Sequence, residues 1–206
     1  MQQNKSLVVK FGMFVKYSGM FVNNTLELKK LFVILFCAIS SAALGDTYYV
    51  ATNGSDANGS GSLNSPWATW NYGIRKLTTG DTLFIRAGLY MATGAVSISA
   101  NPNNGTVNDP IVVMGYPGDA TRPILDGSNL NQTSLLRIEH KSYWTIKRLE
   151  IRESHDTDGV YTNFCGINCY SSNQIRLENI VVHDIDGQGI RIQDCDTIYV
   201  RDCDSY

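Results

Sequence analysis

The sequence predicts an all-β solenoid, a right-handed parallel β-helix of about 23 residues per coil with a helix capping its N-terminal end. Three observations predict it: a turn-rich composition, a succession of short strand-like runs, and an internal repeat. Of the 206 residues, 43% are hydrophobic, 17% are charged and 18 are glycine, a balance that suits strands and turns better than helices. Gly166-Ile167-Asn168-Cys169 recurs as Gly189-Ile190-Arg191-Ile192, 23 positions on. Asn173-Gln-Ile175-Arg-Leu177-Glu-Asn179 recurs as Asp196-Thr-Ile198-Tyr-Val200-Arg-Asp202 at the same shift. A period in the low twenties built from strands and turns marks stacked coils about 4.8 Å apart. Ile167 then stacks on Ile190, Cys169 on Ile192, Ile175 on Ile198 and Leu177 on Val200, while Arg176, Glu178, Tyr199 and Arg201 face outwards. Ile146-Lys-Arg-Leu149 matches Ile175-Arg-Leu-Glu178 at a shift of 29, which places six extra residues in an insertion around 154–164.

The elements follow in order. Lys29 and Lys30, the apolar run from Leu31 to Ile39 and the small residues to Gly45 form a signal-peptide pattern, with cleavage expected before Asp46. The run is too short for a spanning helix, which needs about 20 residues. Bulky Phe36 before Cys37 does not suit a lipid-attachment motif, and Met20 offers an alternative start. Thr47–Val50 reads as the opening strand and residues 53–62 as a loop. Trp67, Trp70, Ile74 and Leu77 lie at helical spacing, with Ser65 as N-cap and Pro66 in the first turn. That apolar face suits a lid over the open end of a solenoid, where strand edges need cover. Strands are expected over Thr82–Arg86, Ile111–Met114, Leu135–Ile138 and Trp144–Ile151. The expected organisation is a targeting segment over 1–45, opening strand and capping helix over 46–81, and the first coils of the solenoid over 82–206, unfinished at Tyr206.

A formal net charge of −2 carries none of the strongly basic footprint of a nucleic-acid binder. Export permits disulfides among Cys165, Cys169, Cys195 and Cys203, but the repeat favours small buried side chains, and none of the spacings is that of a zinc finger.

Several stretches also resemble a known family. Residues 48–56, Ser65-Pro-Trp-Ala-Thr69, residues 79–90, residues 110–118 and Pro123-Ile-Leu-Asp126 resemble the opening segment of many secreted right-handed β-helix proteins. Residues 143–151 and Asp202-Cys-Asp-Ser-Tyr206 are most similar to the pectate lyases of polysaccharide lyase family nine. The resemblance implies a secreted, monomeric enzyme that cleaves an acidic polysaccharide by calcium-assisted β-elimination. Carboxylates hold the ion, and a Lys or Arg of lowered pKa removes the proton beside the sugar carboxylate. In the resembled lyases these residues follow a segment like 202–206, so catalytic and metal residues are expected beyond Tyr206, and no turnover is expected of residues 46–206 alone.

Within the chain, Asp184, Asp186, Asp194, Asp196, Asp202 and Asp204 are candidates for a calcium site, weighed against solvated turn residues. The insertion brings His155, Asp156, Asp158, Tyr161 and Phe164 together as a possible cleft wall, against a plain surface loop. His140 and His183 read as surface histidines at strand ends. Lys141, Lys147, Arg148 and Arg152 form a modest basic cluster suited to a polyanion. Asn53, Asn58, Asn104 and Asn131 sit in glycosylation acceptor patterns, which Gly-rich turns produce by chance. A glycoside hydrolase on the same scaffold, with a carboxylate pair, and a non-catalytic glycan-binding or adhesive β-helix are the alternatives.

Overall fold

The computed structural model describes residues 45–130, 134–155 and 165–206. The targeting segment up to Leu44, Asn131 and the 156–164 part of the insertion, with Asp156, Asp158, Tyr161 and Phe164, lie outside the described residues. The chain winds through three parallel sheets in turn. Sheet 1 stacks β1 (Thr47–Val50), β2 (Thr82–Ile85), β5 (Ile111–Gly115), β8 (Trp144–Lys147), β11 (Asn173–Glu178) and β14 (Asp196–Arg201) in that order. Sheet 2 stacks β3 (Gly88–Met91), β6 (Pro123–Asp126), β9 (Glu150–Ser154), β12 (Val181–Ile185) and β15 (Asp204–Ser205). Sheet 3 stacks β4 (Val96–Ser97), β7 (Leu136–Glu139), β10 (Cys165–Tyr170) and β13 (Gln188–Gln193). Each circuit runs sheet 1, sheet 2, sheet 3, so every strand pairs with its counterpart one coil away.

The register reproduces the stacked pairs expected from the repeat. Ile167 aligns with Ile190 and Cys169 with Ile192. Ile175 aligns with Ile198 and Leu177 with Val200. Extended backwards, the columns become continuous: Leu83, Val113, Ile146 and Leu177 in sheet 1, and Tyr90, Leu125, Ile151 and Val182 in sheet 2. All of these are buried, and they form one core. In the outermost rung the inward side chains are half-exposed, with Ile192 at 45% and Val200 at 47%.

Three expectations need correction. The 23-residue period holds only for the step from β10–β12 to β13–β15. Thr82 pairs with Val112, Ile111 with Trp144 and Ile146 with Leu177, so the earlier coils are longer. The last pairing also replaces the shift of 29 with one of 31: the apolar alternation allows a two-residue slip that leaves the same faces inward, and pattern matching cannot distinguish the two. Second, Trp144–Ile151 is not one strand. Arg148, at φ 57°, turns the chain between β8 and β9, with Leu149 buried at the corner. Third, helix α1 spans Trp70–Lys76, with Thr69 as N-cap accepting from the Tyr72 N–H, and not Ser65 with Pro66. Trp67 instead bridges to Val50, stacks on Tyr48 and donates its indole N–H to the Gly59 carbonyl at 3.0 Å. The lid itself stands. Trp70 and Ile74 on α1 and Leu77 at its C-cap are buried, and Gly73 packs so close that a Cβ would lie 2.9 Å from Val50 and 3.0 Å from Leu83.

The corners repeat as strictly as the columns. Ser171, Gln174 and Asn179 have positive φ, and so do Asp194, Thr197 and Asp202 one period later. His140, Tyr143 and Arg148 occupy the same corners one coil earlier. A left-handed residue at each corner bends the chain between flat sheets, and Asn and Asp accept that conformation best.

Candidate polysaccharide-facing surface

Two outward faces carry the polar chemistry of the solenoid. On sheet 3, Arg137, Asn168 and Arg191 stand in one outward column, and Glu139, Tyr170 and Gln193 in the next. Arg137 binds Glu139 through two nitrogens at 2.7–2.9 Å, and Asn168 also donates to Glu139 at 3.4 Å. Arg191 donates to Gln193. The column spacing is that of adjacent strands, about 4.8 Å, so this face carries guanidinium and amide groups at regular intervals along the solenoid, with Arg137 and Asn168 engaged by Glu139. Such donors suit the carboxylates and hydroxyls of a polysaccharide.

On sheet 2 the outward column is Asp126, Arg152 and His183. Arg152 Nε lies 2.9 Å from Asp126, and its terminal nitrogen lies 3.7 Å from Glu150. His183 sits between Glu150 at 3.3 Å and Asp184 at 2.7 Å, with Tyr206 stacked on its ring at 5.3 Å. Burial acts to raise the Asp126 carboxyl, but hydrogen bonds from Ser128 and Arg152 outweigh it and hold the group below the usual range.

Between these faces lies the connection from β9 to β10. At its near end His155 Nε2 is 2.8 Å from Glu153, and Nδ1 is 3.4 Å from Asp186. The Glu153 bond, and after it Asp186, raises the His155 pKa above its ordinary value. The two carboxylates favour the protonated ring, and His155 is the one sequence-predicted cleft residue that the described structure places.

The six aspartates do not converge. Asp184 binds His183, Asp186 faces His155, Asp194 accepts from Gln193, Asp196 from Thr197, and Asp202 faces Arg201. Asp204 is exposed in β15. Among the described residues no group of three or more His, Cys, Asp or Glu is arranged to hold a metal ion, so these residues do not fit calcium. The basic cluster is also dispersed. Lys141 is buried at a corner, donates to the Asn101 carbonyl, and has its pKa lowered by that burial. Arg148 binds backbone carbonyls at the turn between sheets 1 and 2, Arg152 is paired on sheet 2, and Lys147 lies outward on sheet 1. Sequence neighbours separate because each corner sends the next residues onto a different sheet.

Arg137, Glu139 and Asn168 carry no motif that marks them in the sequence alone. Their signal was present as the register that aligns Arg137 with Asn168, but the strand before the insertion falls outside the 23-residue period.

The family described as Pel9A-like, right handed beta helix region, matches residues 48–206. Pectate lyase PEL9 of Emericella nidulans is 28% identical over 151 residues, covering 67% of this chain and 35% of that protein. The solved structure of pectate lyase Pel9A superposes with a TM-score of 0.58 at 18% identity, over 75% of this chain and 38% of that one. The GH136 lacto-N-biosidase from Eubacterium ramulus gives a TM-score of 0.62 at 18% identity, over 87% of this chain and 35% of that one. The chain thus spans about a third of the length of each.

Proposed function

Because the chain belongs to the Pel9A-like right-handed β-helix family, we propose that it is part of an exported polysaccharide lyase acting on pectate or a related polyuronate by β-elimination. The observation that supports this most is the family match running from β1 through β15. It is supported further by the Arg137–Asn168–Arg191 column, which lines sheet 3 with guanidinium and amide groups, Arg137 and Asn168 being engaged by Glu139. In this reading the described coils bind and orient the chain of sugars, and calcium assists elimination in the whole protein. The described residues hold no ligand set for the ion. Export rests on the 29–45 pattern, and no helix among the described residues is long and apolar enough to cross a membrane.

A glycoside hydrolase is the second reading, favoured by the superposition on the lacto-N-biosidase. The test is ultraviolet absorbance of unsaturated uronides released from polygalacturonate by the full-length protein, with and without calcium. The lyase reading expects calcium-dependent absorbance. Absence of product on polygalacturonate, on rhamnogalacturonan and on alginate would end it.

A further inference from the structure

We propose that the turn between sheets 1 and 2 carries an accessory site for a carboxylate-bearing saccharide, built on Arg122 and Arg148 and separate from the sheet 3 face. The proposal rests on the polyuronate reading only for the identity of the sugar.

A cavity of about 570 Å³ opens here, lined by Thr121, Arg122, Ile124, Arg148, Glu150 and Asn179. Its charge is two guanidiniums against one carboxylate, and that carboxylate already faces His183 and Arg152 on sheet 2. Arg148 is fixed at a left-handed corner and, among the described residues, donates to the carbonyls of Tyr116 at 2.7 Å, Asp119 at 2.6 Å and Thr121 at 3.3 Å. Those bonds hold its position without neutralising its charge. Arg122 donates to the Asn179 side-chain oxygen, and its Nε–H is buried without a partner among the described residues. Among the described residues neither arginine forms an ion pair with a carboxylate of the chain. Asn179 is itself held, at φ 53° with its N–H on the Arg201 carbonyl.

A buried guanidinium donor without an acceptor is costly, and a turn of the Arg122 side chain into the cavity lets a ligand carboxylate satisfy it through the two-nitrogen fork that arginine presents. The second guanidinium adds attraction: it forms no ion pair among the described residues, although Asp119 and Glu150 lie close enough to offset part of its charge. The volume falls in the range of small-molecule sites and exceeds what a lone inorganic anion fills. The side chain of Ile124 adds an apolar surface for a sugar ring. An acidic hexose unit meets all three conditions.

The test is calorimetric titration of the full-length protein in chelator, so that binding is read apart from turnover. The probes are a short galacturonate oligomer, the same oligomer reduced to its neutral sugar, and inorganic phosphate. The expected result is binding of the acidic oligomer with a component that weakens about tenfold or more in Arg122→Gln and in Arg122→Lys, with weak or absent binding of the other two probes. Arg122→Lys keeps the charge and loses the fork, so it reports on the site should Arg122→Gln fold poorly. Unchanged titrations in both variants, or equal binding of the neutral oligomer or of phosphate, would overturn the proposal. Loss of the Arg122 component with no lyase activity in the whole protein would leave the site standing and remove the polyuronate reading.

Discussion

The sulfur atoms of Cys169 and Cys195 lie 3.6 Å apart in neighbouring coils, unbonded, and Cys195 also points at the Cys169 carbonyl. Cys165 and Cys169 are buried, Cys169 in the column of Ile138 and Ile192, whereas Cys195 and Cys203 are half-buried. Burial pushes the Cys169 thiol up to about 12 and raises Cys165 as well. Thiolate is the reactive form, so iodoacetamide at neutral pH should leave Cys165 and Cys169 unlabelled in the native protein and label them in urea. Peptide mass spectrometry reads the result, and a disulfide-linked 169–195 peptide would contradict it.

Leu177 carries the sheet 1 column between Ile146 and Val200 and is fully buried. Leu177→Ala should cost about 2–5 kcal/mol through lost transfer energy and a cavity. Arg176, its outward neighbour, should tolerate Ala within about 0.5 kcal/mol. Urea unfolding of the two variants checks the contrast, and equal effects would mean the inward and outward assignments are wrong.

Thr197 holds φ 54° although it is β-branched, in the corner position that Gln174 fills one coil earlier. A left-handed conformation costs such a residue about 1–2 kcal/mol. Thr197→Asn should therefore raise stability by roughly 1 kcal/mol, whereas Asp202→Val, at φ 53°, should lower it by a similar amount. Thermal unfolding measures both shifts, and a loss of stability in Thr197→Asn would refute the corner account.

His155 provides a pH dependence whose sign is fixed by its partners. Its pKa is raised above the ordinary 6.5, first by the Glu153 bond and then by Asp186. The stabilisation from the protonated ring is full below pH 6.5 and fades as pH rises through the raised value. Proton NMR should show a His155 midpoint above 6.5 that falls in Glu153→Gln. A midpoint at or below 6.5 would show that Glu153 and Asp186 do not hold the ring.

Much of this architecture is legible in the sequence where the period is regular. Gly166–Asp202 contains two aligned copies, and every stacked pair read from them occurs in the register. The reading loses accuracy where coils lengthen, because Ile146 can match Ile175 or Leu177 without changing face, and only the hydrogen-bonded register decides. Corner residues are the second gap. Arg148 and Thr197 have no turn-forming character, and their left-handed backbone is imposed by the sheets on either side. The helix start moved because Trp67, apolar and correctly spaced, is used by a bridge to β1 and not by α1. The outward faces were least legible: Arg137 and Asn168 become neighbours only once the long coil is closed.

The function proposed for the whole protein is cleavage of a polyuronate by elimination and not by hydrolysis. Digestion of polygalacturonate in heavy-oxygen water, followed by mass spectrometry of the products, tests it most directly. Elimination cleaves the bond without adding water, so the account predicts unsaturated ends that carry no heavy oxygen from the cleavage. Saturated new non-reducing ends, with one heavy oxygen gained per cleavage at the new reducing end, would contradict it and assign the scaffold to hydrolysis.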